Sequence, residues 1–432
     1  MNSSPDAVSD VPRFSRRDFA IVFSVSLVSA IGQTGLLSVL PTIGRSIGIE
    51  DAMLTGMSSL GAIFWTVSSP FWARQSDLRG RKSLMVVGLG GLSVSMMLCG
   101  VTVSAGLAHL ATPVMVFGFL LAGRAIFGLF GAATNPASQA YIAERTSPAE
   151  RTRSMSNVTA GYGLGTVVGP MVAPQFIVGV VGLAGPLYAF GSIGLLMLLI
   201  VWRYLDEAPT LAAKPPSHTD NATGKPPSVV PTIAPFLAYG FLLLSCRYAL
   251  AQNLGFLLID KTAKTLPRLA STELLQVAQS HIQTAMVCGA LASLVALWGL
   301  IPMFRMRPKA LLRWGAGLGS LGTLLIALSP NHATVIVGYV FSSLGFTLAL
   351  QGLSVGVSLS VPMWQQARAA GALGVIAGMD VLFAPFAVSL YRHFAPGPFL
   401  LEAVVLAILV TYACLNPMLR NVGNRVNTEA SD

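Results

Sequence analysis

Three charged side chains interrupt long apolar stretches of this 432-residue chain: Arg124, Arg247 and Asp380. A charge at mid-bilayer depth costs roughly 2.5–3.5 kcal/mol on insertion scales, so each needs a polar cavity or a partner. Asp380 reads as the only carboxylate near the membrane centre. Isolated there it could carry a proton, whereas paired with an arginine it stays ionised. Arg247 lies at similar depth and, on a helix, is turned by about 140° from Gln252, which could aim it at Asp380. Such a pair either makes and breaks as a proton moves or stands as a permanent ion pair that fixes packing. The polar residues Gln33, Thr34, Gln252, Asn253 and Gln351 are candidates to line a cavity, with Phe64, Trp65 and Tyr239 beside them. His281 is read as a hydrogen-bonded packing residue sooner than a proton relay. No His-Glu-x-x-His, paired aspartates, Gly-x-Ser-x-Gly or nucleotide-binding loop occurs, so the chain is not expected to be an enzyme. The four cysteines sit singly in apolar runs, and neither a disulfide framework nor a metal site is expected.

The elements that must hold these residues follow from composition. With 53% hydrophobic and only 10% charged residues and a mean hydropathy of +0.69, the main solvent is lipid. Stretches long enough to cross a bilayer as helices fall near 19–40, 52–73, 83–104, 113–141, 152–176, 184–204, 233–259, 274–303, 310–329, 332–359, 368–391 and 398–418. Twelve spans put both termini on one side. With that side cytoplasmic, twenty lysines and arginines lie inside and only Arg45, Lys261, Lys264, Arg268 and Arg392 outside, as positive-inside retention demands. The net charge of +10 is thereby explained without nucleic acid. A proline-rich, weakly apolar stretch divides the spans, which gives a cytoplasmic tail 1–18, a six-helix bundle 19–204, a linker 205–232, a second bundle 233–418 and a cytoplasmic tail 419–432. A shift of 215 residues lays Arg153 on Arg368, Gly163 on Gly378 and Pro170 on Pro385, and a similar one lays Gln33 on Gln252. That common register argues for two related halves with a site between them near the midplane.

Ala73-Arg74-Gln75-Ser76-Asp77-Leu78-Arg79-Gly80-Arg81-Lys82 follows the second span. It resembles the Gly-x-x-x-Asp-Arg-x-Gly-Arg-Arg/Lys signature of the major facilitator superfamily, with Ala73 and Leu78 departing from it. Gly80 permits a tight reversal, and Asp77 can face the positive end of a neighbouring helix. In the family that contact, to the eleventh helix, latches the outward-facing state, and Glu144 resembles the acidic partner of the loop arginine, here Arg81. Arg124, Gly128 and Gly131 resemble the family's fourth-helix motif, linked to proton coupling in antiporters, with Phe127 in place of glutamine. Gly165, Gly169 and Pro170 resemble the core of the drug-proton antiporter motif, without its last two glycines; they serve either close packing or antiport.

The resemblance implies an all-α membrane protein of the major facilitator fold, with twelve transmembrane helices in two pseudo-symmetric six-helix bundles. It further implies a monomer in the cell inner membrane that moves a small-molecule substrate through the lipid bilayer, with no cofactor and the proton gradient as energy source. The expected activity is proton-coupled efflux of drug-like or amphipathic molecules by alternating access. The alternatives are a transporter of an anionic metabolite, such as a siderophore or organic acid, and a non-transporting sensor on the same fold.

Overall fold

The computed structural model describes residues 15–145, 148–179, 181–207, 230–304, 306–361, 366–379 and 383–420. Apart from one isolated bridge between Val178 and Gly182, their regular structure is helical. Lipid cannot satisfy loose amides and carbonyls, and a helix bonds its own. Numbered by span, the helices are α1 (Arg16–Gly35), α2 (Asp51–Arg79), α3 (Arg81–Leu107), α4 (Pro113–Ile126, continuing as Thr134–Arg145), α5 (Pro148–Val172) and α6 (Gly185–Tyr204). The second set is α7 (Val230–Thr265), α8 (Ser271–Leu294), α9 (Pro308–Ala327), α10 (His332–Leu359), α11 (Gln366–Met379 and Ala384–His393) and α12 (Gly397–Leu415). Among the described residues nine helices are long and apolar enough to cross a membrane, and α2, α5 and α11 complete the twelve expected. The chain is thus an all-α, multi-pass membrane protein. Large apolar side chains that stay more than half exposed, such as Trp298, Trp314 and Val404, are at home only against lipid.

Local sequence sets the helix ends. Ser15 Oγ accepts from the Arg17 and Asp18 amides at 3.1 and 3.3 Å to start α1, and Thr112 Oγ1 caps α4 ahead of Pro113. α2 and α7 run past their apolar stretches, to Arg79 and Thr265, because a formed helix propagates through polar residues until something stops it. For α2 the stop is Gly80, whose φ of 88° and ψ of 155° turn the chain directly into α3. π-helical turns interrupt α4 at Phe127–Gly131 and the α8 span at Val295–Leu300. The short helix Leu40–Ile47 joins α1 to α2.

One buried core draws only on residues between Ile233 and Leu419, and two others only on residues between Ile21 and Leu205. Within these sets α1 packs on α5, α3 on α6 and α9 on α10. Between them α2 meets α11 and α5 meets α8. Apart from Gly80 at the α2–α3 turn, the described candidate site residues therefore sit on helices that form one bundle or face the other.

Candidate functional site

Two polar layers join the first six helices to the last six. The deeper one is built on α1 and α7. Tyr162 on α5 donates its hydroxyl to Gln33 Oε1 on α1. On α7, Gln252 Nε2 donates to Tyr248 Oη at 3.0 Å. Arg247 of α7 lies within electrostatic range of Tyr162 on α5, in the first six helices, and of Tyr339 on α10. Its Nε has no hydrogen-bond partner among the described residues. Arg124 is 6% exposed, in electrostatic contact with Cys99 on α3 and Tyr248 on α7, and its Nε and Nη1 are likewise unpartnered. Phe127, which stands where glutamine is expected, offers a ring face whose centre is 5.0 Å from the guanidinium carbon. An arginine cannot shed its charge, so these donors remain available to whatever enters between the helices.

The outer layer is a clasp at the end of the bundle where α1 and α7 finish. Arg45, in the short helix after α1, bonds Asp51 at the start of α2 at 2.8 Å and reaches Asp260 on α7. Asp51 is 1% exposed and also pairs with Arg392 at the end of α11, 3.1 Å away. Tyr391 Oη donates to the other Asp260 oxygen at 2.5 Å. Beside this network Thr42 Oγ1 donates to Gln279 Oε1 of α8 at 2.5 Å, and Gln279 Nε2 donates to the Ser38 carbonyl at 3.4 Å. Burial penalises the Arg45 charge, but hydrogen bonds to Asp51 and Asp260 outweigh it and hold the guanidinium above its ordinary pKa. A cavity of about 430 Å³, lined by Arg45, Glu50, Asp51, Asp260 and Arg392 among others, opens onto the clasp.

Of the cavity candidates, Gln33, Gln252 and Arg247 belong to the deeper layer. Thr34 instead bonds the Ala30 carbonyl at 2.8 Å and abuts Gly169. Asn253 is fully buried, donating to the Ala249 carbonyl at 2.9 Å with its Oδ1 unpartnered. Gln351 is half-buried on α10. Tyr239 is not a lining residue, since it is fully buried in the core of the last six helices with its hydroxyl on the Leu312 carbonyl. His281 stacks on His332, with ring centres 4.3 Å apart.

Gly165 and Gly169 lie against the α1 backbone: a Cβ on Gly165 would stand 2.5 Å from the Leu27 carbonyl oxygen, and one on Gly169 2.9 Å from that of Ile31. Pro170 is inside α5. In the loop motif, Gly80 makes the reversal, Arg81 is buried and Lys82 half-buried. A Cβ on Gly80 would meet Glu207, whose Oε2 accepts from Ser83 Oγ at 3.4 Å. The side chains of Ala73, Asp77 and Glu144, and Asp380 entirely, lie outside the described residues.

Two features escaped the sequence reading. The clasp pairs Arg45 with Asp260, two residues 215 positions apart in the chain. Asp380 is also not the only acid within a span: Glu402 is buried in α12 with neither carboxylate oxygen bonded among the described residues.

Among the described residues, helices in two sets that meet across buried polar side chains and are clasped at one end make a polytopic membrane protein. Among the described residues no group of three or more potential metal ligands occurs. The sequence profile of the Major Facilitator Superfamily matches residues 22–301, and the chain belongs to that family. It is 29% identical over 178 residues to Multidrug resistance protein 2 of Bacillus subtilis (strain 168), covering 41% of each chain. It is 26% identical over 197 residues to the class C tetracycline resistance protein of Escherichia coli, covering 45% of this chain and 46% of that one. These matches span less than half the length of either relative. In fold, it is similar to a bacterial homologue of the human lysosomal transporter Spinster in an inward-facing, occupied conformation, with TM-score 0.65, 14% identity and coverage of 94% and 97%. The human organic anion transporter MFSD10 is similarly alike, with TM-score 0.62, 18% identity and coverage of 92% and 99%.

Proposed function

We propose that the chain is a proton-coupled exporter of drug-like or amphipathic small molecules that works by alternating access. The observation that carries this reading is the deeper polar layer, where Arg247 of α7 lies within electrostatic range of Tyr162 of α5, and Arg124 of α4 within that of Tyr248 of α7. Buried polar groups shared by two bundles suit a site that either bundle can uncover in turn. Likeness to multidrug and tetracycline resistance proteins supports the choice of substrate class. In this reading the chain is a monomer of the inner membrane with both termini cytoplasmic. The bundles are 19–204 and 233–418, and Asp380, Arg247 and Arg124 form the proton-coupling set. The clasp then faces outward, and the conformation is closed on that side. Asp77, Gly80, Arg81 and Lys82, with Glu144, form the opposing latch of the outward-facing state.

Proteoliposomes test this directly. Outward-driving and reversed pH gradients should move a lipophilic cation such as ethidium in opposite directions; movement indifferent to both gradients contradicts proton coupling. The unpartnered Nε atoms of Arg124 and Arg247 favour a second reading, an anionic substrate. Under it an organic anion, and not ethidium, responds to the gradient.

A further inference from the structure

Glu402 stands on α12, five residues from its first residue Gly397 and so about 7.5 Å inside the helix. It is 4% exposed, and neither oxygen of its carboxyl group has a hydrogen-bond partner among the described residues. α12 packs against α7, α9 and α11. From α7 the titratable group in electrostatic contact with Glu402 is the Cys246 thiol, itself buried. From α9 the neighbour is Ser320, whose Oγ donates to the Ala403 carbonyl at 2.8 Å; the α9 cation, Arg313, bonds the carbonyl of Ala413, three turns further along. From α11 comes Tyr391. Its ring meets Phe399 edge to face with centres 6.4 Å apart, and Phe399 lies one turn from Glu402 on the same face. No cation is bonded to Glu402 among the described residues. A carboxylate ion with nothing to pair it in such surroundings is less favourable than the protonated acid.

Tyr391 and Phe399 are 3% and 0% exposed and link this turn of α12 to the clasp. Tyr391 is held by its bond to Asp260, which Arg45 of the first six helices holds from the other side. Separating the halves at this end removes the anchor from Tyr391. We propose that Glu402 is a proton-binding site of the last six helices, sealed by Tyr391 and Phe399 while the clasp is shut and opened to outer water when the clasp parts. The inference rests on the proton-coupled reading above. On opening, the acid passes its proton to water and is left as a carboxylate, and the reverse step reloads it.

Hydrophobic carbodiimides modify carboxyl groups that are protonated and reachable. Peptide mapping of the full chain treated with dicyclohexylcarbodiimide should find the adduct on Glu402, forming several-fold faster in Asp260→Asn, where the seal has lost its anchor. An unchanged rate in Asp260→Asn, or no adduct in either protein, overturns the proposal. In proteoliposomes Glu402→Gln should lose at least tenfold of the pH-driven accumulation of ethidium, while Glu402→Asp, which keeps a titratable acid, recovers a good part of it. Wild-type accumulation by Glu402→Gln also overturns the proposal. Failure of the wild-type protein itself to respond to a pH gradient overturns the proton-coupled reading, and the two failures are told apart by which protein shows them. Should Glu402→Gln not fold, the labelling comparison decides alone.

Discussion

Arg45 holds three helices at once: its own, α2 through Asp51 and α7 through Asp260. The pair with Asp51 is largely sheltered, while Asp260 is 38% exposed, so the bond across the halves is the weaker arm and is worth up to about 1 kcal/mol. That is a useful size, because a latch that opens in every cycle cannot be strong. Arg45→Ala should therefore shift the balance of conformers toward outward-open by about fivefold, which is about 1 kcal/mol. Alkylation of a cysteine placed at position 279 reads that shift, and an unchanged rate removes Arg45 from the clasp. The pH response has one sign only. A raised arginine pKa keeps that charge in place throughout the range below it, so the arginine's contribution is lost only at extreme alkalinity. Outer-end alkylation should therefore stay flat from neutral to about pH 9. Sequence alone made Arg45 one of five outer cations serving topology, because its partner is 215 residues away. Glu402 was passed over for a related reason: an acid near the end of a span reads as interfacial until packing shows it enclosed.

The contact of α1 with α5 explains the glycines of α5 without invoking transport. A side chain at Gly165 must meet the Leu27 carbonyl and one at Gly169 the Ile31 carbonyl, and backbone does not move aside as a flexible side chain can. Gly165→Leu and Gly169→Leu should each cost about 1–3 kcal/mol through overpacking. Nothing lies within 4 Å of a Cβ built on Gly163, so Gly163→Ala is the control that should melt with the wild-type protein. Equal melting of all three variants would disprove the packing role. Gly80 is bound by its dihedral angles instead: Gly80→Ala forces a backbone region reserved for glycine, at a cost of about 1–3 kcal/mol, and brings its Cβ onto Glu207. Reduced thermal stability of the detergent-solubilised protein is the expected readout. The helices themselves were legible, since hydropathy located a helix at every expected span. Their ends were less so, because helices outlast their apolar runs, as α7 does to Thr265. The π turn after Arg124 left no hydropathic trace, since Phe127–Gly131 is as apolar as an ordinary turn.

At the scale of the whole molecule, the two sets of helices have separate cores and meet through polar side chains. At the clasp the segment after α1 meets the far end of α7, through Arg45 and Asp260. Pro41 and Gly255 make a further contact between the halves, with a Cβ built on Gly255 standing 3.1 Å from that of Pro41. The repeat was visible in the sequence, but which of its positions touch depends on how the bundles tilt, and that is a property of the assembled pair. If the halves rock about a central site, this contact must part in each cycle. Two cysteines, Pro41→Cys and Gly255→Cys, are close enough to be bridged. The decisive measurement is the rate of pH-driven transport by this double variant in proteoliposomes, before and after oxidation. The account predicts that the oxidised protein stops and that reduction restores it. Undiminished transport by fully crosslinked protein would contradict it.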